Sequence, residues 1–411
     1  MAAPGPGDGP LHDLRVVDLA TVVAGPGCAR YLGDFGADVI KVERPGTGDT
    51  TRAMGWTHPD DDVSLWWKLE GRNKRSVVAD LKDPDDLAFV RRLIATADVV
   101  VENFRPGTLE RLGLDPAELI AAHPTLVVTR VTGFGQDGPY AHRPGFATLA
   151  EAMSGFAAIN GEPDGGPLLP PIALTDEVTA LTAAFATMVA LHSGVGQVVD
   201  VNLLESLVQL MGPLLSLWEL RGELQPRLGS GIPYSVPRGT YRCADDRWVA
   251  ISTSAESVAV RVMELIGLGD DPRFEGFAGR IAHREEVDRV LGAWCAARPL
   301  AEVLRARGGP RRGRFRLRHG RAGGRRARGG ARHGRGRRGH ADAGTGGPAL
   351  GHAGPPPLGR SSARRRHRCG APGGRTPRGL TETLRLTTFD DHSYRAASTR
   401  CRRNQPGGPL P

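Results

Sequence analysis

Six short apolar runs rich in β-branched residues, interleaved with helical patterns, constrain this chain more than any other feature. They are "LRVVDLA", "ADVIKVE", "SVVADL", "ADVVVEN", "TLVVTRVTGFG" and "GQVVDVN". Near-continuous apolar strands alternating with helices such as "DLAFVRRLIATA" predict an α/β fold, with a parallel sheet covered on both faces. "PGFATLAEAMSGFAAI" and "DEVTALTAAFATMVALH" read as further helices. "GTYRCADDRWVAIST" reads as a hairpin turning at Asp245 and Asp246, the start of a smaller second unit. No internal repeat is visible.

Charge divides the chain sharply. The whole carries 54 Lys and Arg against 45 Asp and Glu. From Arg305 to Pro411 there are 27 Arg and no Lys against four acids (Asp342, Glu382, Asp390, Asp391), so residues 1–304 hold 27 bases and 41 acids. An acidic body of net −14 therefore precedes a tail of net +23. After Val303 the tail has no Val, Ile, Met, Lys or Trp, too little apolar surface to offset the entropy of ordering. An arginine-rich nucleic-acid-binding segment interleaves aromatics that stack on bases, and in the densest Arg run Phe315 stands alone. Arg, Gly, Ala and Pro are the residues written by codons of G and C. The tail after about Leu304 thus reads as a frameshifted, disordered segment, in preference to an RNA-binding arm.

The first apolar run ends in a glycine turn, "AGPGCARYLGDFG", and Glu43 closes the second. A strand, two glycines and a helix start approach a dinucleotide fingerprint, in which helix N-terminal amides receive a pyrophosphate and an acid binds the ribose. The third glycine is missing, and Arg30 stands in its place. Two readings stay open at this point: a glycine-eased turn of any α/β fold, or a site for a nucleotide-type ligand other than NAD.

Cys28, Cys243, Cys295, Cys369 and Cys401 form no CxxC pair and no metal-ligand spacing; no metal and a reduced cytoplasmic setting are expected. "MAAPGPGDGPLHDL" has neither the basic nor the apolar region of a signal peptide. No apolar run is expected to span a bilayer.

Five stretches in order carry a family resemblance: "LRVVDLATVVAGPGCARYLGDFGADVIKVERPGTGDTTR", "GRNKRSVVADLKDPDD", "ADVVVENFRPGTLERLGL", "VTGFGQDGPYAHRPGFATLAEAMSG" and "PLLPPIALTDEVTALTAAFATMVAL". From about Leu11 to Leu304 the chain resembles the class III CoA-transferases, the CaiB/BaiF (carnitine and bile-acid CoA-transferase) family. The resemblance implies a Rossmann-like large domain (1–225), a smaller α+β domain (226–304) and an interlocked homodimer; the aberrant tail (305–411), read from composition, follows them. It implies movement of CoA from an acyl-CoA to a small carboxylic acid, with CoA as substrate and no permanently bound cofactor. It places the covalent aspartate at Asp176. Val22, Val23 and Ala24 match the segment lying against CoA, Arg44 the arginine at its adenosine-phosphate end, and Asn103 and Phe104 a CoA-lining pair with Arg105 beside them. Lys74 and Arg75 are phosphate partners by their charge. On residue type alone, Asp176 reads first as a helix N-cap, and each basic residue equally as a solvated surface charge.

Departures narrow the chemistry. "RLGSGIPYSVPRG" holds only Gly229, Gly231 and Gly239 where formyl- and oxalyl-CoA enzymes carry a glycine-rich loop. An α-methylacyl-CoA racemase, the nearest rival, needs a proton-transfer group near Phe146, which cannot supply one; His142 lies a turn upstream. In the family the C-terminal stretch returns to complete the large domain, so the altered tail puts folding and pairing of subunits in question. Neither donor nor acceptor acid is named by any stretch.

Overall fold

Alternate valines sort the strands onto two faces. In the computed structural model, which describes residues 9–306 and the pair Leu384–Arg385, the strands are β1 (Arg15–Asp18), β2 (Asp38–Glu43), β3 (Lys74–Val78), β4 (Val99–Glu102), β5 (Val127–Thr132) and β6 (Gln197–Asn202). They form a parallel sheet in the order β3-β2-β1-β4-β5-β6, and Leu384–Arg385 pairs parallel beyond β6. Val16, Val39, Val99, Val101, Val127 and Val199 point into one buried layer. Val17, Val42, Val100 and Val128 point into the other, as the period-2 pleat requires.

Helices flank the sheet: α1 (Ala24–Asp34), α2 (Leu65–Glu70), α3 (Pro84–Ile94), α4 (Thr108–Arg111), α5 (Pro116–Ala122), α6 (Ala147–Met153), α7 (Phe156–Ile159), α8 (Leu174–Ser193) and α9 (Leu203–Leu210); the exposed α10 (Leu214–Arg221) follows. The start of α3 is set locally: Asp83 accepts from the amides of Asp85 and Asp86, and Pro84 occupies the first helical position. One expected helix is two. Gly155, at φ 86°, breaks "ATLAEAMSGFAAI" into α6 and α7, because a left-handed residue ends the α-helical path.

The hairpin is present: β7 (Arg238–Arg242) and β8 (Trp248–Ser252) pair antiparallel, with Asp246 left-handed at the turn. Helices α11 (Glu256–Leu265), α12 (Gly276–Ala282), α13 (Arg284–Ala296) and α14 (Leu300–Arg305) follow. Tyr241, Cys243, Val249, Leu291, Cys295 and Leu300 make a separate small core there. The expected disorder of the arginine tail lies outside the described residues.

Against the expectation about bilayer spans, α8 has the length and apolar character for one. It is a core helix here: Thr175, Thr179, Ala180, Ala183, Ala184, Ala186, Thr187 and Ala190 are buried against α1 and the sheet. Its outer side leaves Leu181, Phe185 and Val189 exposed.

Candidate active site

The strand order reverses direction between β1 and β4, and ligands of such sheets bind outside the carboxyl ends of the strands at that reversal. The loops after β1 and β4 meet there. Asn103 clasps them: its Oδ1 accepts from the Thr21 amide at 2.8 Å, and its Nδ2 donates to the Thr21 carbonyl at 2.7 Å. Val22 follows in the left-handed region at φ 72°, and the residue is 41% exposed. A β-branched residue is strained there. Val23 is the N-cap of α1, and no side chain caps that helix. Its first amides are thus presented at the reversal, where an anion is stabilised.

Of the expected CoA-lining residues, Val22, Val23, Ala24 and Asn103 gather at this point, with Arg44 exposed after the neighbouring β2 and Arg105 exposed beyond Asn103. The others face elsewhere. Phe104 packs into the apolar layer under the sheet. The Lys74 side chain is only 2% exposed; its ammonium donates to Asp18 and to the Pro26 carbonyl. Burial pushes the Lys74 ammonium down and Asp18 holds it up. It is a buried counter-ion, and a phosphate contact at Lys74 does not fit this placement. Arg75 is 62% exposed but its guanidinium grips Asp38 at the start of β2, the end of the sheet opposite the reversal. Charge alone had suggested both as phosphate partners; position removes them. Glu43, the acid in the ribose place, is occupied by Arg52, Ser76 and the Asp49 amide. Burial raises its carboxyl, but these donors outweigh that and hold it at about 2.

Asp176 sits in the first turn of α8, whose N-cap is Ala173, so Asp176 is not the cap. Burial, then Glu151 and Glu177, push its carboxyl up to about 6, while the helix N-terminus favours the anion. Two acidic neighbours were not singled out from sequence. Glu151 of α6 is buried and accepts from the Thr175 hydroxyl at 2.8 Å. Glu177 accepts from Arg30 Nη2 at 2.8 Å and from the Tyr31 hydroxyl at 2.9 Å, both on α1. Helices α1 and α8 meet closely at Gly27, where a Cβ would stand 2.8 Å from that of Ala180. The signal that could have found Arg30 was its place in the fingerprint: a charged residue where close packing asks for glycine needs a buried partner. His142 and Phe146 are exposed, and among the described residues no cluster could hold a metal ion.

This arrangement offers a nucleotide-sized anion a helix N-terminus at the sheet reversal, and separately offers a half-buried, ionisable carboxylate at the start of α8. Comparison with known proteins gives the family. The sequence profile of CoA-transferase family III covers residues 11–308. The succinyl-CoA–D-citramalate CoA-transferase of Chloroflexus aurantiacus is 42% identical over 292 residues, 69% of this chain and 72% of that protein. The succinate–glutarate CoA-transferase of Agrobacterium fabrum is 38% identical, over 69% of this chain and 73% of that protein. A CaiB/BaiF family protein from Brucella suis superposes with TM-score 0.62 at 33% identity, covering 72% of this chain and 80% of the other. A hypothetical protein from Mycobacterium tuberculosis does so with TM-score 0.63 at 32% identity, over 72% and 81%.

Proposed function

Because this chain belongs to CoA-transferase family III and is a CoA-transferase working between an acyl-CoA and a carboxylic acid, we propose that it works through covalent intermediates on Asp176. The observation that carries this reading is the placement of Asp176: a half-buried carboxylate in the first turn of α8, flanked by acids and, among the described ion pairs, held by no cation. Burial and the neighbouring acids raise its carboxyl to about 6, still below neutral pH, so the anion that must attack is the prevailing form there.

An Asp176 oxygen attacks the thioester carbonyl; the C–S bond breaks, leaving a mixed anhydride and CoA thiolate. The thiolate attacks the Asp176 acyl carbon, releasing the donor acid and leaving an aspartyl-CoA thioester. The acceptor carboxylate then attacks that carbonyl and expels the thiolate. The thiolate finally attacks the acceptor's acyl carbon, forming the new acyl-CoA and freeing Asp176. Each hard exchange becomes steps with a good leaving group. Val22, Val23, Ala24, Asn103, Arg44 and Arg105 are assigned to the nucleotide end of CoA. The names of the similar enzymes favour a succinyl-CoA donor and a small dicarboxylic acceptor.

We also infer a homodimer, supported by the exposed stripe Leu181, Phe185 and Val189, and by α10, which buries none of its residues and exposes Leu215, Trp218 and Leu220. Cys28, Cys243 and Cys295 are free thiols, in keeping with a reducing cytoplasm.

The test is to mix enzyme with succinyl-CoA, quench with hydroxylamine and map the hydroxamate by mass spectrometry. The adduct is expected on Asp176, and Asp176→Ala and Asp176→Asn are expected to fold, bind CoA and transfer none. An adduct on another residue, or transfer by either variant, overturns the assignment.

A further inference from the structure

The Arg30 guanidinium lies between two carboxylates on different helices. Its side chain is 5% exposed; Glu70 of α2, 1% exposed, stands 3.5 Å from Nε, and Glu177 of α8 accepts from Nη2 at 2.8 Å. The sharing is unequal. Neither Glu70 oxygen has a hydrogen-bond partner, nor has Arg30 Nε, whereas Glu177 Oε2 accepts from both Arg30 and Tyr31. The guanidinium also lies over the Tyr31 ring, 4.4 Å from its centre. Arg30 therefore belongs to Glu177, and Glu177 is the residue next to Asp176.

We propose that Arg30, with Tyr31, is a positioning residue for Asp176: through Glu177 it fixes the first turn of α8 and neutralises the negative charge beside the nucleophile. This rests on the reading of Asp176 given above. Three observations support it. The brace cannot slide, because Gly27 lets α1 meet α8 at Ala180 with no space to spare. Asp176 has an acid on either side, Glu151 from α6 and Glu177 on its own helix. Of these, Glu177 is paired by Arg30 and Glu151 is in no ion pair among the described residues. Burial pushes the Glu70 carboxyl up to about 7, against the pull of Arg30 and Lys74, and a Glu70 that stays protonated leaves Arg30 to Glu177. Behind Glu70 stand Lys74 and Asp18. On the remaining side, Asp200 and Glu205 line a small pocket at Thr182, well along α8 from Asp176.

The test is the pH dependence of single-turnover formation of the aspartyl-CoA thioester, followed by mass spectrometry with succinyl-CoA. Melting curves verify that each variant is folded. Glu177→Gln is expected to move the acid limb to lower pH, and Arg30→Gln to higher pH. Each shift is expected to be about one unit, or about tenfold in rate on the limb. Arg30→Lys should fall between Arg30→Gln and the parent, and the double variant Arg30→Gln/Glu177→Gln should return towards the parent. If Arg30→Gln does not fold, Glu177→Gln and Arg30→Lys carry the test. An unmoved midpoint with a uniformly lower rate means that Arg30 only supports the fold. That result, a parent without an acid limb, or a shift of the opposite sign overturns the proposal. Failure of the Asp176 assignment shows separately, as thioester on another residue.

Discussion

Substituting Gly27 by alanine probes the contact on which the α1–α8 packing depends. The new Cβ would lie 2.8 Å from that of Ala180 and 3.7 Å from Glu70 Oε2. Neither Cβ can rotate away, so the helices must part by most of an ångström. Overpacking of this kind costs about 1–3 kcal/mol. Alanine in a helix regains up to about 1 kcal/mol over glycine, so the net loss is about 1 kcal/mol, or about 2–4 °C in Tm for a domain of this size. Ala180→Gly alone should cost about 1–2 kcal/mol, through propensity and a small void. The double variant Gly27→Ala/Ala180→Gly moves one methyl across the contact, which restores both packing and total propensity. It should melt near the parent, a coupling of about 2 kcal/mol. Urea unfolding of the four proteins measures this. A double variant as unstable as the sum of the singles would refute the reasoning, since the clash would then not be the cause.

Lys74→Met is expected to lower stability by about 3–5 kcal/mol, because it leaves the buried Asp18 carboxylate without this cation; Arg75→Ala, at an exposed pair, should cost under about 1 kcal/mol. Denaturant titration separates them. Arg44→Ala should weaken CoA binding by about 1–3 kcal/mol at unchanged Tm, read by calorimetry with CoA and dephospho-CoA; equal losses for both ligands would remove Arg44 from the adenosine-phosphate end. Glu43 is held at about 2, below the ordinary 4.5. Its stabilising contribution is therefore complete above pH 4.5 and lost as pH falls towards 2, so Glu43→Gln should flatten the stability profile in that window. The acid limb of transfer itself should lie near pH 6, where Asp176 titrates.

The sheet was legible because its central strands, β1, β4 and β5, are valine runs buried on both faces, a pattern that needs no knowledge of partners. The break at Gly155 was hidden because a single glycine inside an apolar helical pattern has two outcomes, and only the surroundings choose. Among the site residues, Asp176 and the turn Val22–Ala24 could be named from the family resemblance. Lys74 and Arg75 could not be judged, because side-chain charge does not report burial: Lys74 meets Asp18 across 56 residues of sequence. Arg30 and Glu177 lie 147 residues apart, a pairing that no local pattern contains. What sequence shows of such a pair is a charge in an apolar place.

The left-handed backbone at Val22 has a genetic consequence. One base change turns a valine codon into a glycine codon, and glycine would adopt φ 72° without strain. Mutation therefore offers release from the strain at the smallest step, and what the valine supplies in exchange is its side chain. The part worth keeping is an exposed isopropyl group at the sheet reversal, an apolar surface for whatever arrives there, and Val22→Gly would exchange it for a more relaxed but barer turn.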